Sequence, residues 1–263
     1  MIDTNKVTIA TVNEIMIPML NSNGDLYDEG EGMYTAASDS QVNIFILDTC
    51  DKIRGLRKLR GIADSFFKKP LDIDCSGLNL TNVIQIDYLC YNVTIHRFTG
   101  FPSSAPKLMC LTNMFKEAVF VNDNTDTDQV SYFEFSLDAP ALKQVWSMFE
   151  DALGLRTIIV NLPNSKLSNA NLMFDRNAIS WHDYAMVSAN KLRAITLHTS
   201  FEEGAQVGSL MGGCMALEHA DLPDLSKCNP TDVRTVFVGV DNLIKVEANP
   251  ETKRILAEKF NIF

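Results

Sequence analysis

The sequence predicts an α/β repeat fold: a solenoid with a curved parallel sheet on one side and short helices on the other. Three observations predict it. One spacing of apolar residues recurs, each copy joins a helix-like face to a strand-like one, and the copies return at a near-constant interval. Val145, Phe149, Leu155, Ile158 and Val160 are separated by steps of 4, 6, 3 and 2 residues. Val207, Met211, Leu217, Ala220 and Leu222 repeat those steps, and so do Val233, Phe237, Leu243, Val246 and Ala248.

The units follow in chain order. Val42, Phe45 and Ile46 begin the first, with Leu71 and Ile73 as its strand. Val83, Ile86, Leu89 and Cys90 give a second helix face, with Ile95 and Phe98 as its strand. Leu108, Leu111, Met114 and Phe115 give a third; its strand, Tyr132, Phe135 and Leu137, follows an insertion at 119–130. In the fourth, Leu142, Val145, Met148 and Phe149 lie at helical spacing, and Ile158 and Val160 alternate as in a strand with one buried face. Leu167, Ala170, Met173 and Phe174 open the fifth, whose strand, Leu192, Ile195 and Leu197, follows an insertion around 175–190. The second helix position falls at 42, 86, 111, 145, 170, 207 and 233, so the base period is 25–26 with three insertions. A period of about 20–29 with one strand and one helix per unit is the leucine-rich-repeat signature. A single such unit cannot bury its apolar face; stacked units share one core.

The segments LDIDCSGLNLTNVIQIDYLCYN (71–92), VWSMFEDALGLRTI (145–158) and VGSLMGGCMALEHADLPDLSKCN (207–229) carry a more specific likeness. They resemble the repeat of BspA-type bacterial surface leucine-rich proteins and the related mycoplasma lipoprotein repeat. That repeat runs from a strand through a Ser/Thr/Asn-rich turn to a helix ending in Met-Phe-x-x-Cys, and Cys214 stands at its Cys position. The resemblance spans residues 42–248 and implies a binding or surface role. The units here are less regular, with long insertions. That family's surface role goes with secretion or anchoring signals. MIDTNKVTIATVNEI has no basic segment leading into an apolar one, so cytoplasmic synthesis is expected.

Residues 41–248 are therefore expected to form about seven irregular repeats. Residues 249–263 read as a capping helix: Asn249 as N-cap, Pro250 in the first position, Glu251 in the first turn, and Ile255, Leu256 and Phe260 packing back. Residues 1–40 do not match the repeat. They carry seven acids and one base, and Val7, Ile9 and Thr11 alternate; a terminal cap and a docking arm both fit.

The net charge of −10 disfavours nucleic acid and anionic membrane surfaces as partners. The one basic stretch, Lys52, Arg54, Arg57, Lys58 and Arg60, interleaves with Ile53, Leu56 and Leu59 as a solvated helix face would. No apolar run is long enough for a membrane span. The six cysteines form no close pair, so reduced, buried thiols and no metal are expected. Phosphate-loop, dinucleotide-loop, nucleophile-elbow and zinc-protease motifs are missing, and no cofactor is expected. VNDNTDTDQ (121–129) lacks the Gly and Glu of a calcium loop. GSLMGGC (208–214) reads as a turn.

Candidate binding residues follow from alternation. If Ile158 and Val160 point inward, their neighbours point out of the sheet. The outward ladder contains Asp72, Asp74, Arg97, Glu134, Asp138, Asn161, His198, His219, Asp221, Lys245 and Glu247. Trp181, His182, Asp183 and Tyr184 form a candidate loop contact. The favoured expectation is a non-enzymatic protein-binding or structural module acting in a multi-subunit assembly. A virion accessory component of a phage capsid or tail and an intracellular adaptor are its two settings. A glycan or host-surface binder using Trp181 and Tyr184 is the alternative. A hydrolase built on His182, Asp183, His198 or His219 ranks below it.

Overall fold

The computed structural model describes residues 6–8, 58–60, 71–75, 80–81, 83–87, 89–90, 94–121, 132–175 and 192–260; at 6–8, 58–60, 71–74 and 94 it describes the backbone alone. The strands are β1 (Lys6–Thr8), β2 (Lys58–Arg60), β3 (Leu71–Asp74), β4 (Gln85–Asp87), β5 (Thr94–Thr99) and β6 (Cys110–Thr112). They continue with β7 (Val119–Phe120), β8 (Phe133–Ser136), β9 (Thr157–Asn169), β10 (Ala194–Gln206), β11 (His219–Asp221) and β12 (Lys245–Glu247). Two helices are described, α1 (Pro230–Val233) and α2 (Pro250–Ala257). Neither is long and apolar enough to cross a membrane.

Every strand pairing among the described residues is parallel. The five-stranded sheet runs β12-β11-β10-β9-β8, in unbroken chain order, and the others run β1-β3-β5-β7 and β2-β4-β6. Each strand therefore pairs with a strand one excursion of the chain away. Val119 also bridges to Leu153 while Phe133 lies opposite Ile158, so β7 and β8 both border the segment that leads into and forms β9. The alternation that predicts the strands is a real burial pattern. Ile158, Val160, Ile195, Leu197, Ala220 and Val246 are all buried, with exposed or half-buried residues between them.

The expected helices are a different matter. Three of the seven predicted faces are entered by strands, with Ile86 at the centre of β4, Leu111 at the centre of β6 and Leu167 inside β9. The basic stretch expected as a helix face contains β2. The first face, Val42, Phe45 and Ile46, lies outside the described residues; elsewhere the described segments are turns, and α1 gives the last unit a single helical turn. The physical reason lies in the backbone. Asn113, Ser147, Leu172 and Ser209 have φ of 52°, 56°, 58° and 49°, in the left-handed region that no right-handed helix can contain. Their N–H groups turn to the next excursion of the chain instead. Asn113 donates to the Trp146 carbonyl at 3.2 Å, Ser147 to Asn171 at 3.0 Å and Leu172 to Gly208 at 3.0 Å. Phe115, Phe149, Phe174 and Met211 do the same toward Met148, Met173, Leu210 and Val236. Buried backbone donors must find acceptors, and here cross-chain stacking supplies them.

The apolar faces still point inward. Phe115, Phe149 and Phe174 are the largest fully buried side chains. Their rings stack in sequence, with centroids 5.1 Å and 5.6 Å apart and interplanar angles of 21° and 9°. Cys75, Cys90, Cys214 and Cys228 are buried free thiols. The segment around Gly212 and Gly213 is a turn, as its composition predicts.

α2 closes the described chain. The Asn249 side chain accepts the Thr252 N–H at 2.7 Å, and Pro250 occupies the first turn, where a missing N–H is harmless. Thr252 is fully buried, and its hydroxyl accepts the Leu225 N–H at 2.9 Å and reaches Asp224 at 3.4 Å. Thr252→Val is expected to cost about 1–3 kcal/mol in urea unfolding, because it leaves a buried N–H unpaired. The Ser226 hydroxyl and N–H, with weaker help from Asn249 and Thr252, hold the Asp224 carboxyl below its usual range. A carboxylate with a depressed folded pKa stabilises above its unfolded value and loses that contribution as pH falls through the folded one. The stability deficit of Asp224→Asn is therefore expected to be full at neutral pH and to shrink on acidification below about pH 4, as read by unfolding curves along a pH series.

Candidate functional site

The outward face of β8–β12 carries a hydrogen-bonded arrangement of polar side chains. Parallel register sets its rows. Ser136, Asn161 and His198 lie side by side; Glu134, Ile159, Thr196, Asp221 and Glu247 form a second row; His219 and Lys245 sit in a third. The rows are joined by hydrogen bonds. Glu134 accepts from Tyr132, from Ser136 at 3.3 Å and from Asn161 Nδ2 at 2.9 Å. Asn161 Nδ2 also donates to Ser136 Oγ at 3.1 Å, and Asn161 Oδ1 lies 2.8 Å from His198 Nδ1. His198 Nε2 stands 3.6 Å from Asp221 Oδ2. Lys245 pairs with Glu247 at 2.6 Å, and Lys253 from α2 approaches the same carboxylate at 3.6 Å. Polar contacts thus cross the sheet from β8 to β11, and a second group joins β12 to α2.

The electrostatics follow from these partners. The Lys245 hydrogen bond and charge hold Glu247 below the usual carboxylate range, with Lys253 adding to the effect. Glu247 in turn raises Lys245, and Asp221 adds to that. The Glu134 hydrogen bond pushes the Tyr132 phenol up.

Comparison with protein-family models, curated proteins and solved structures returned no match. The site must be read from its own chemistry.

The structure brings together Glu134, Asn161, His198 and Asp221, and separately Lys245 and Glu247. His219 is exposed beside Lys245 in register. Asp138 stands apart, past the end of β8, where Asn164 Nδ2 donates to it at 2.9 Å. Register places Asp72 beside Arg97 and Asp74 beside Thr99; the side chains of the two aspartates lie outside the described residues. Trp181, His182, Asp183, Tyr184 and residues 122–130 also lie outside them. One sequence expectation fails here. Tyr132, read as an inward strand residue, is half exposed and turned to Glu134; Phe133, next to it, packs against the core instead. Asn164 and Lys253 were not legible as site residues, because neither lies at an alternating position of the repeat.

A concavity of about 1030 Å³ lies at the far end of β9 and β10, lined among others by Lys166, Phe201, Gly204, Lys227 and Cys228. Glu202 at its wall is held by Lys143. Burial first, then Asp224 and Asp232, push the Cys228 thiol up to about 12, so at neutral pH it stays protonated and is a poor nucleophile. Among the described residues no cluster of His, Cys, Asp and Glu is suited to hold a metal ion.

Proposed function

We propose that the chain is a leucine-rich-repeat-type solenoid that works by binding another protein, with the face of β8–β12 as its contact surface. One observation carries the reading: side chains from three successive parallel strands are hydrogen-bonded into one exposed, carboxylate-bearing network, with Asp221 of the fourth 3.6 Å from His198. Rigid strands hold such groups better than loops do, and mutual hydrogen bonding limits the freedom lost when a partner docks. Residues 1–40 are in this reading a terminal cap or a docking arm, and the settings that fit are an accessory position on a virion or an intracellular adaptor.

The test reverses the face. Protein captured from a host extract by the immobilised chain is expected to be lost with Glu134→Lys combined with Asp221→Lys, while circular dichroism stays unchanged. Capture of the same protein at the same yield by the folded double variant would sink the reading.

A further inference from the structure

Glu134 dictates the hydrogen-bonding state of its neighbours. A carboxylate only accepts, so the Asn161 group 2.9 Å from Glu134 Oε1 must be the amide nitrogen. That leaves Asn161 Oδ1 facing His198 Nδ1 at 2.8 Å. An amide oxygen also only accepts, so Nδ1 carries the hydrogen and donates. In a neutral ring the other nitrogen, Nε2, is then a bare acceptor, and it faces Asp221 Oδ2 at 3.6 Å. Two acceptors oppose each other there until a second proton makes Nε2 a donor and the contact an ion pair.

We propose that Asp221 holds either the doubly protonated His198 ring or a cationic side chain of a partner, so that a partner docking there releases a proton. This deepens the reading of the sheet as a protein-binding face and rests on it. The occupant is an exposed segment bearing Arg or Lys, and charge complementarity identifies it. The chain carries a net charge of −10. Among the described residues, Glu134 and Asp138 are held by neutral donors. Lys245 is engaged with Glu247 and reaches Asp221 only through its field.

The groups facing His198 fix the sign. Asn161 and Glu134 lie on the β8–β9 side, Asp221 and His219 on β11, and Lys245 and Glu247 beyond it on β12. A doubly protonated His198 ring fills Asp221 and so opposes a cationic partner; a neutral ring leaves Asp221 open to one. Binding and proton release are reciprocal.

The full chain is titrated calorimetrically with a short acetylated arginine peptide in two buffers of different ionisation heat, alongside His198→Gln. The wild type is expected to release a proton on binding. Its affinity should fall about tenfold more than that of His198→Gln between about pH 8 and 5. Every group other than residue 198 is common to the two proteins and cancels in that comparison. Binding with equal proton release in both proteins overturns the exchange at Asp221 and leaves the protein-binding reading standing. No binding by the wild type overturns the cationic occupant; the capture experiment with the reversed face then decides the broader reading on its own.

Discussion

Phe149→Ala is expected to lower stability by about 3–5 kcal/mol. The ring is fully buried and sandwiched between Phe115 and Phe174, and Phe133 meets it edge-on at 5.9 Å. Removal of the ring takes away its transfer free energy and the aromatic contacts on both faces. The neighbours cannot collapse into the space. The Phe115 N–H is tied to the Met148 carbonyl at 2.8 Å, and the Phe149 N–H to Met173 at 2.7 Å. A backbone fixed on both sides leaves the cavity open, the condition under which large-to-small changes cost most. Phe149→Leu, which keeps most of the volume, is expected to cost about 1 kcal/mol. Urea unfolding followed by circular dichroism separates the two. A loss below about 1 kcal/mol for the alanine variant would show that the ring stack does not hold the core.

Gly154→Ala is expected to cost more than about 3 kcal/mol, or to prevent accumulation of folded protein. Gly154 has φ of +80°, and a Cβ there would lie 1.9 Å from the Phe120 carbonyl oxygen. That oxygen is backbone and has nowhere to go. The Phe120 N–H is bound to the Leu153 carbonyl at 3.0 Å, and the Leu153 N–H to Ala118 at 2.7 Å. Gly204 provides the control. Its φ is +75°, but nothing lies within 4 Å of the added carbon. Gly204→Ala should therefore cost only the left-handed strain, about 1–2 kcal/mol. Equal losses at the two positions in the same unfolding assay would mean that conformation, not close approach of the chain, sets the demand for glycine at 154.

The contrast between strands and turns shows what the sequence could tell. Alternating Ile158 and Val160, or Ile195 and Leu197, require one buried sheet face, and β9 and β10 lie there with Glu134, Asn161, His198 and Asp221 facing out. A step of three or four residues, as in Leu142, Val145, Met148 and Phe149, fits a helix. It fits equally a chain of tight turns. Leu142 donates to Ala139 and Ala152 to Phe149, each three residues back, while Ser147 between them takes positive φ. Inward spacing is the same in both cases. What separates them is the direction of the N–H groups, which apolar periodicity does not record. The links across the site were illegible for a related reason. His198 meets Asn161 across 37 residues and Asn161 meets Glu134 across 27, so unequal excursions of the chain decide which polar residues become neighbours.

Those unequal excursions also separate two properties that most folds couple. Ser168 donates to Lys143 across 25 residues, and Lys143 donates to Met109 across 34, with the same backbone geometry at each junction. Lengthening a closed loop by that ratio costs only about 0.3 kcal/mol of chain entropy. Sequence between β7 and β8, or ahead of β10, can therefore be added, removed or exchanged while the strands keep their register. The inward residues then answer to stability alone, and the segments between them are free to diverge with whatever the protein must recognise.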